Sequence, residues 1–187
     1  MIPVSSVVGP LYFLSEMVLA SARRSMPGTG GSKDRGSFGV LLVVNWISIA
    51  AAYQFEFGVP QTGWNPIAWV SGLGVTVMIV GVAIRWYSII YLGRFFTVNV
   101  AIAADHRLID TGPYRKVRHP SYTGALLAFL GLAICMQNWA SLLIMMTGTT
   151  AAFLYRMRVE EQALTDAFGE RYRQYMQRTA RLIPEVY

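Results

Sequence analysis

Charge is scarce in this chain. Only 14% of its 187 residues are Asp, Glu, Lys or Arg, where a soluble domain carries roughly 25%. Hydrophobic residues reach 54%, and several apolar runs approach the roughly 20 residues that cross a bilayer core. The deficit points to an integral membrane protein. Cysteine is scarcer still: Cys135 stands alone inside an apolar run, which excludes an intramolecular disulfide. With two histidines, His106 and His119, and no Cys/His cluster at metal-site spacing, no metal is expected. Nucleotide motifs are missing too. There is no GxGxxG after a strand, no Walker A and no G-x-S-x-G, so a soluble Rossmann domain is not expected. Gly72 and Gly74 fit helix packing better than phosphate binding. The net charge of +6 does not point to nucleic acid, because no basic, aromatic-interleaved segment stands apart from the apolar runs. Basic loops that orient membrane helices account for it.

What is present reads as one all-α membrane domain. Five spans are expected, at about 2–22, 38–57, 66–92, 120–136 and 138–156. Pro10 is a kink point in the first, and Glu16 is embedded in it. Ala20-Ser21-Ala22 looks like a signal cleavage site, but Arg23-Arg24 follow the apolar run and no cation precedes it, so an uncleaved helix is expected. The fourth span is short. Gln137-Asn138 makes a tight link between the last two, which predicts a late antiparallel hairpin. Cations collect in three places. They are the first loop (Arg23, Arg24, Lys33, Arg35), the stretch between spans three and four (Arg94, Arg107, Arg115, Lys116, Arg118) and the segment after span five (Arg158, Arg171, Arg173, Arg178, Arg181). The connections 57–66 and 136–138 have none. The positive-inside rule then puts the N-terminus outside and the C-terminus in the cytoplasm, and an odd number of spans agrees. A compact chain without extensions suits a bacterial inner (plasma) membrane. Residues 93–119 form a cytoplasmic loop, with a small hairpin around 97–109. Residues 158–178 read as a cytoplasmic amphipathic helix with Leu164, Phe168, Tyr172 and Tyr175 on one face.

Two polar clusters flank the late hairpin. One is the run from Gly112 to Gly124, which holds Arg115, Lys116, Arg118 and His119 between Tyr114 and Tyr122. The other is Glu160-Glu161. The tight link brings them together at one membrane face. Cations opposite acids suit a zwitterionic ligand, and the tyrosines offer faces to a heterocycle or a sulfonium. The plain alternative is topology signalling by the cations and dipole-favoured acids at a helix start. Arg85 lies inside span three and needs a partner, for which Glu16 is the candidate. It is either a structural pair or an anchor for an anionic substrate.

The segments His106-x-Leu108, Gly112-Pro113-Tyr114-Arg115 and Arg118-His119-Pro120-Ser121-Tyr122-x-Gly124 resemble the isoprenylcysteine carboxyl methyltransferase family and its phospholipid methyltransferase relatives. So do Glu160-Glu161-x-x-Leu164, Phe168-Gly169, Tyr172, Tyr175 and Arg181-Leu182-Ile183-Pro184. The likeness covers about 85–184. It implies a membrane methyltransferase that uses S-adenosylmethionine without a Rossmann domain. The implied cofactor residues are Tyr114, Arg118, His119, Tyr122, Glu160 and Glu161, with 93–97 as a wall. Arg85 and Arg156 match the arginines implied to act on the acceptor. Isoprenylcysteine enzymes carry Asn-Phe-Asn-His where this chain reads Phe95-Phe96-Thr97-Val98, so the acceptor stays open. A lipophilic or small carboxylate would need no base, a thiol partial ionisation, and an amine a base such as Glu160, Glu161 or His119. Two other readings stand beside it. One is an NADPH-dependent sterol-type membrane reductase, which shares a polar loop before a late hairpin and a closing Ile-Pro-x-x-Tyr. The other is a non-catalytic membrane accessory protein.

Overall fold

The computed structural model describes residues 3–22, 36–64, 67–96 and 107–184. Six α-helices occur among them: α1 (Ser5–Ala22), α2 (Ser37–Gly58), α3 (Ala68–Leu92), α4 (Pro120–Cys135), α5 (Trp139–Phe168) and α6 (Glu170–Arg178). Strands are absent among the described residues; two isolated bridges join Gly63 to Asn138 and Val117 to Ala180. α2 and α3 are long and apolar enough to cross a membrane, while α1 and α4 are shorter apolar helices. α1 continues through Pro10. The basic first loop, His106 and residues 97–106 of the hairpin expected around 97–109 lie outside the described residues, and 107–109 are described without strand structure.

α4 occupies the centre, and its short length suits a helix enclosed by others. It runs antiparallel to α3 along a seam of four glycines. A Cβ on Gly81 would meet Ala128 N at 2.4 Å, and one on Gly131 would meet Met78 N at 2.4 Å. Only the missing side chains let the two backbones approach this closely. α5 runs antiparallel to α2, where the Ser141 hydroxyl donates to the Ala52 carbonyl at 2.6 Å. Tyr12 of α1 sets its ring edge against Phe129 of α4 at 5.3 Å. Deeper along α1, Glu16 takes both Nε and Nη2 of Arg85, each at 2.6 Å. A charge inside apolar helices demands such a partner.

The α4–α5 link is held at one end of the bundle. Asn138 caps α5 by accepting from Ser141 N at 3.0 Å. Gln137, at φ 49, accepts from Ile67 N at 2.8 Å and donates to the Ser71 hydroxyl at 2.7 Å. Trp64 and Trp139 pack at 4.4 Å at this end, with Trp69 exposed nearby in sequence; Tyr87, Tyr91 and Tyr155 are exposed toward the other. Trp69 and Tyr87 are 18 positions apart on α3, about 27 Å of helix, close to a hydrocarbon core.

The expected helix at 158–178 is corrected. α5 runs unbroken to Phe168 and α6 starts at Glu170, with Gly169 between them at φ 55. At 30 residues, α5 is about 45 Å long, so its last turns outrun a bilayer core. Gly169 supplies the positive φ that lets the chain fold back.

Candidate functional site

A cavity opens at the end of the bundle where α3 ends, α4 begins and α5 overshoots. α3 stops at Gly93, whose φ of 57 turns the chain aside. The chain returns through a short 3₁₀ turn, Gly112–Arg115, and enters α4 at Pro120, the first-turn position where the missing N–H costs nothing. α6 closes from below with Tyr172 and Tyr175. The cavity encloses about 850 Å³ of empty space, part of it continuous with open solvent. Its polar wall is Tyr114, Arg118, His119, Tyr122, Arg156 and Glu160. Its apolar wall is Leu92, Phe95, Phe96, Leu164 and Phe168.

The two adjacent glutamates have different surroundings. Glu160 lines the cavity, and its Oε2 accepts from the Tyr122 hydroxyl at 2.8 Å. Glu161 is buried and turned away. Its Oε1 meets Arg118 Nε at 3.0 Å, His119 Nε2 at 3.1 Å and Arg181 Nε at 3.2 Å, and its Oε2 takes Arg181 Nη2. Burial alone would raise its carboxyl; the hydrogen bonds from His119, Arg181 and Arg118 outweigh that and bring it to about 2. Two consecutive residues on an α-helix point about 100° apart, and here that angle separates cavity from interior.

The other polar groups are also anchored. Tyr114 donates to the Ser88 carbonyl at 3.1 Å and so ties the loop to α3. Tyr175 donates to the Tyr114 carbonyl at 2.6 Å. Burial pushes the Tyr114, Tyr172 and Tyr175 phenols well above their ordinary range, so these hydroxyls act as neutral donors, not bases. Arg118 gives Nη1 to the Met176 carbonyl at 2.9 Å and to the Thr179 carbonyl. The ring of Tyr122 stacks on His119 at 5.5 Å. Arg156 reaches the cavity wall, yet its Nη1 also donates to the Ser37 hydroxyl and its guanidinium lies 5.8 Å from the Phe38 ring.

All six cofactor candidates gather here, five of them on the cavity wall and Glu161 behind it. Of the two acceptor candidates, Arg156 lines the cavity. Arg85 does not; it is engaged with Glu16 and the Ser121 carbonyl. Sequence reasoning counted 181–184 as part of the family motif but gave the segment after α6 no place at the site. That segment pairs with the loop: Arg118 N donates to the Ala180 carbonyl at 2.9 Å, His119 N to the Arg181 carbonyl at 3.1 Å, and Ala180 N to the Lys116 carbonyl at 3.0 Å. The signal available was the Arg-Leu-Ile-Pro run at 181–184.

The phospholipid methyltransferase family model matches residues 69–171, more than half of the chain and nearly the whole site. The chain belongs to the phospholipid methyltransferase family. Within the family it is similar to protein-S-isoprenylcysteine O-methyltransferase B of Arabidopsis thaliana, at 34% identity over 120 residues, which cover 63% of this chain and 61% of that protein. It is similar as well to the Tribolium castaneum protein-S-isoprenylcysteine O-methyltransferase, at 28% over 149 residues, 79% of this chain and 51% of that one. The solved structure of the eukaryotic intramembrane Ras methyltransferase ICMT superposes with a TM-score of 0.58 at 27% identity, over 81% of this chain and 53% of that one. The chain thus spans about three-fifths of the Arabidopsis relative and about half of the solved chain. The family resemblance read from the two motifs holds. Like its intramembrane relative, this family member is an integral membrane protein.

Proposed function

We propose that the protein transfers a methyl group from S-adenosylmethionine to an amphiphilic acceptor at the cytoplasmic membrane surface. The observation that carries this reading is one cavity with two chemistries. Its polar wall holds Glu160, and its apolar wall is built from the end of α3, the turn that follows it and the last turns of α5. The donor set fits the cofactor: Glu160 Oε1 has no partner among the described residues, and an ammonium or a ribose hydroxyl needs such an acceptor. Tyr114, Tyr122 and His119 add ring faces for a sulfonium or a heterocycle.

S-adenosylmethionine, when bound, supplies a methyl group on a cationic sulfonium. The chain's residues align and enclose. Tyr122 holds Glu160 in place. The apolar wall excludes water and accepts the acceptor's tail, and proximity supplies most of the rate. Arg156, on the cavity wall, orients an acidic head group. A carboxylate acceptor is ionised at pH 7 and needs no base. The S-isoprenylcysteine named for the relatives is one amphiphile of this kind. Arg85 serves the bundle through Glu16. With five spans, the arginines and lysines of the loop 107–118 and of the segment 171–181 would fall at the cavity end, which the positive-inside rule assigns to the cytoplasm of a bacterial inner membrane. The family match favours methyl transfer over the reductase and accessory readings.

Two measurements test this. S-adenosylhomocysteine should bind the nanodisc-reconstituted protein by calorimetry, and Glu160→Gln should weaken it at least about tenfold, as expected for a lost charge-assisted bond. Methyl-labelled product should release volatile methanol in alkali, the mark of an ester. No binding by the wild type sinks the methyltransferase reading; a base-stable product sinks the carboxylate.

A further inference from the structure

Glu161 sits beside the cavity without entering it, and four donors converge on its carboxylate. Arg118, His119 and Arg181 Nε meet Oε1, and Arg181 Nη2 meets Oε2. Three of these donors crowd Oε1 and the fourth takes Oε2, and Glu161 is not among the residues that line the cavity, so its carboxylate serves the chain's own donors. Two guanidinium groups against one carboxylate keep Glu161 ionised, and an ionised carboxylate can only accept. Whatever meets it must donate. His119 therefore contributes Nε2–H, and in the neutral form of the ring the lone pair is on Nδ1. That atom lies 3.9 Å from Glu160 Oε2, on the cavity side of a ring held flat by stacking on Tyr122.

We infer that Glu161 is a positioning residue. It fixes the tautomer of His119, and His119 Nδ1 and Glu160 form a pair of acceptors facing the cavity. Arg181 extends the arrangement to the segment after α6, because its fork aims the Glu161 carboxylate while its carbonyl holds the His119 backbone. The ligand chemistry follows. The group seated between Nδ1 and Glu160 is a hydrogen-bond donor, an ammonium or a hydroxyl, and not an anion. The inference rests on the methyltransferase reading only for the identity of that ligand; the tautomer stands on the chain alone.

Nitrogen-15 spectra of histidine-labelled protein in nanodiscs, recorded without any methyl donor, test it. Only two imidazoles exist, and the His106→Gln variant assigns them. The neutral His119 ring should show protonated Nε2 over protonated Nδ1 by about tenfold or more, the ratio a charge-assisted bond sustains. Glu161→Gln should lower that ratio several-fold with helicity retained, because an amide oxygen is a weaker acceptor and its NH₂ opposes Arg181. A wild-type ring protonated on Nδ1 overturns the inference, as does an unchanged ratio in a folded Glu161→Gln protein. Should that variant fail to fold, the wild-type spectrum still decides. A chain that binds no S-adenosylhomocysteine but shows the Nε2–H ring would refute the methyltransferase and leave the positioning role standing.

Discussion

Gly124→Ala is the sharpest test of the packing that supports the site. The added methyl would sit 2.5 Å from Arg85 N, 2.6 Å from the Gly81 carbonyl oxygen and 2.9 Å from Arg85 Cα. All three are backbone atoms of α3, so no side chain can swing away, and the two helices must part by nearly 1 Å at the closest approach. Overpacking of this kind costs about 1–3 kcal/mol, and rigid neighbours put it in the upper half, about 2–3 kcal/mol. The parting also pulls Arg85 from the Ser121 carbonyl, now 3.3 Å away. Alanine's better helix propensity returns about 0.5–1 kcal/mol, leaving a net loss of about 1–2.5 kcal/mol. For a chain of this size the midpoint should fall by about 2–10 °C, read as loss of monodisperse protein on heating in one detergent. Gly72→Ala is the internal control. Gly72 is exposed on α3 with nothing within 4 Å of its added Cβ, so the same substitution should raise the midpoint by about 1–4 °C. Opposite signs are required. A Gly124→Ala protein as stable as wild type would refute the close α3–α4 approach.

Three further outcomes follow from the charged residues. Glu161 titrates at about 2, below its usual 4.5, so its contribution is complete above about pH 4.5 and is lost as pH falls toward 2. The fall corresponds to about 3 kcal/mol, and acid unfolding of Glu161→Gln should be flatter than wild type over that window. Arg85→Met strands Glu16 among apolar helices and should destabilise by about 3–5 kcal/mol; the Glu16→Met/Arg85→Met double variant should recover most of it in thermal unfolding, and failure to recover would mean Arg85 does more than pair. Tyr122→Phe frees Glu160 Oε2, and should weaken S-adenosylhomocysteine binding by several-fold in calorimetry while leaving the unfolding midpoint within about 2 °C.

The apolar runs made the first five helices legible: α1 to α5 start within three residues of the expected spans, and α2 and α3 are long and apolar enough to cross a membrane. The Arg85–Glu16 pair was legible from depth alone, since a charge among apolar residues must find its opposite. The break at Gly169 was not. Leu164, Phe168, Tyr172 and Tyr175 keep one amphipathic face across it because α5 and α6 line the same cavity, so periodicity carried on where the backbone did not. The glutamate doublet was read as one unit, although adjacent helical positions cannot face the same way. Arg181 and the Ser37 contact of Arg156 join residues 20 and 119 positions apart, and no local pattern signals such a meeting.

The bridge between Val117 and Ala180 also sets an order of events in biosynthesis. The loop that carries Arg118 and His119 emerges from the ribosome more than 60 residues before the segment that braces it. Until residues 179–182 are made, Glu161 lacks Arg181 and the His119 backbone lacks its acceptor. All five long helices are therefore synthesised before the loop that carries Arg118 and His119 gains its brace.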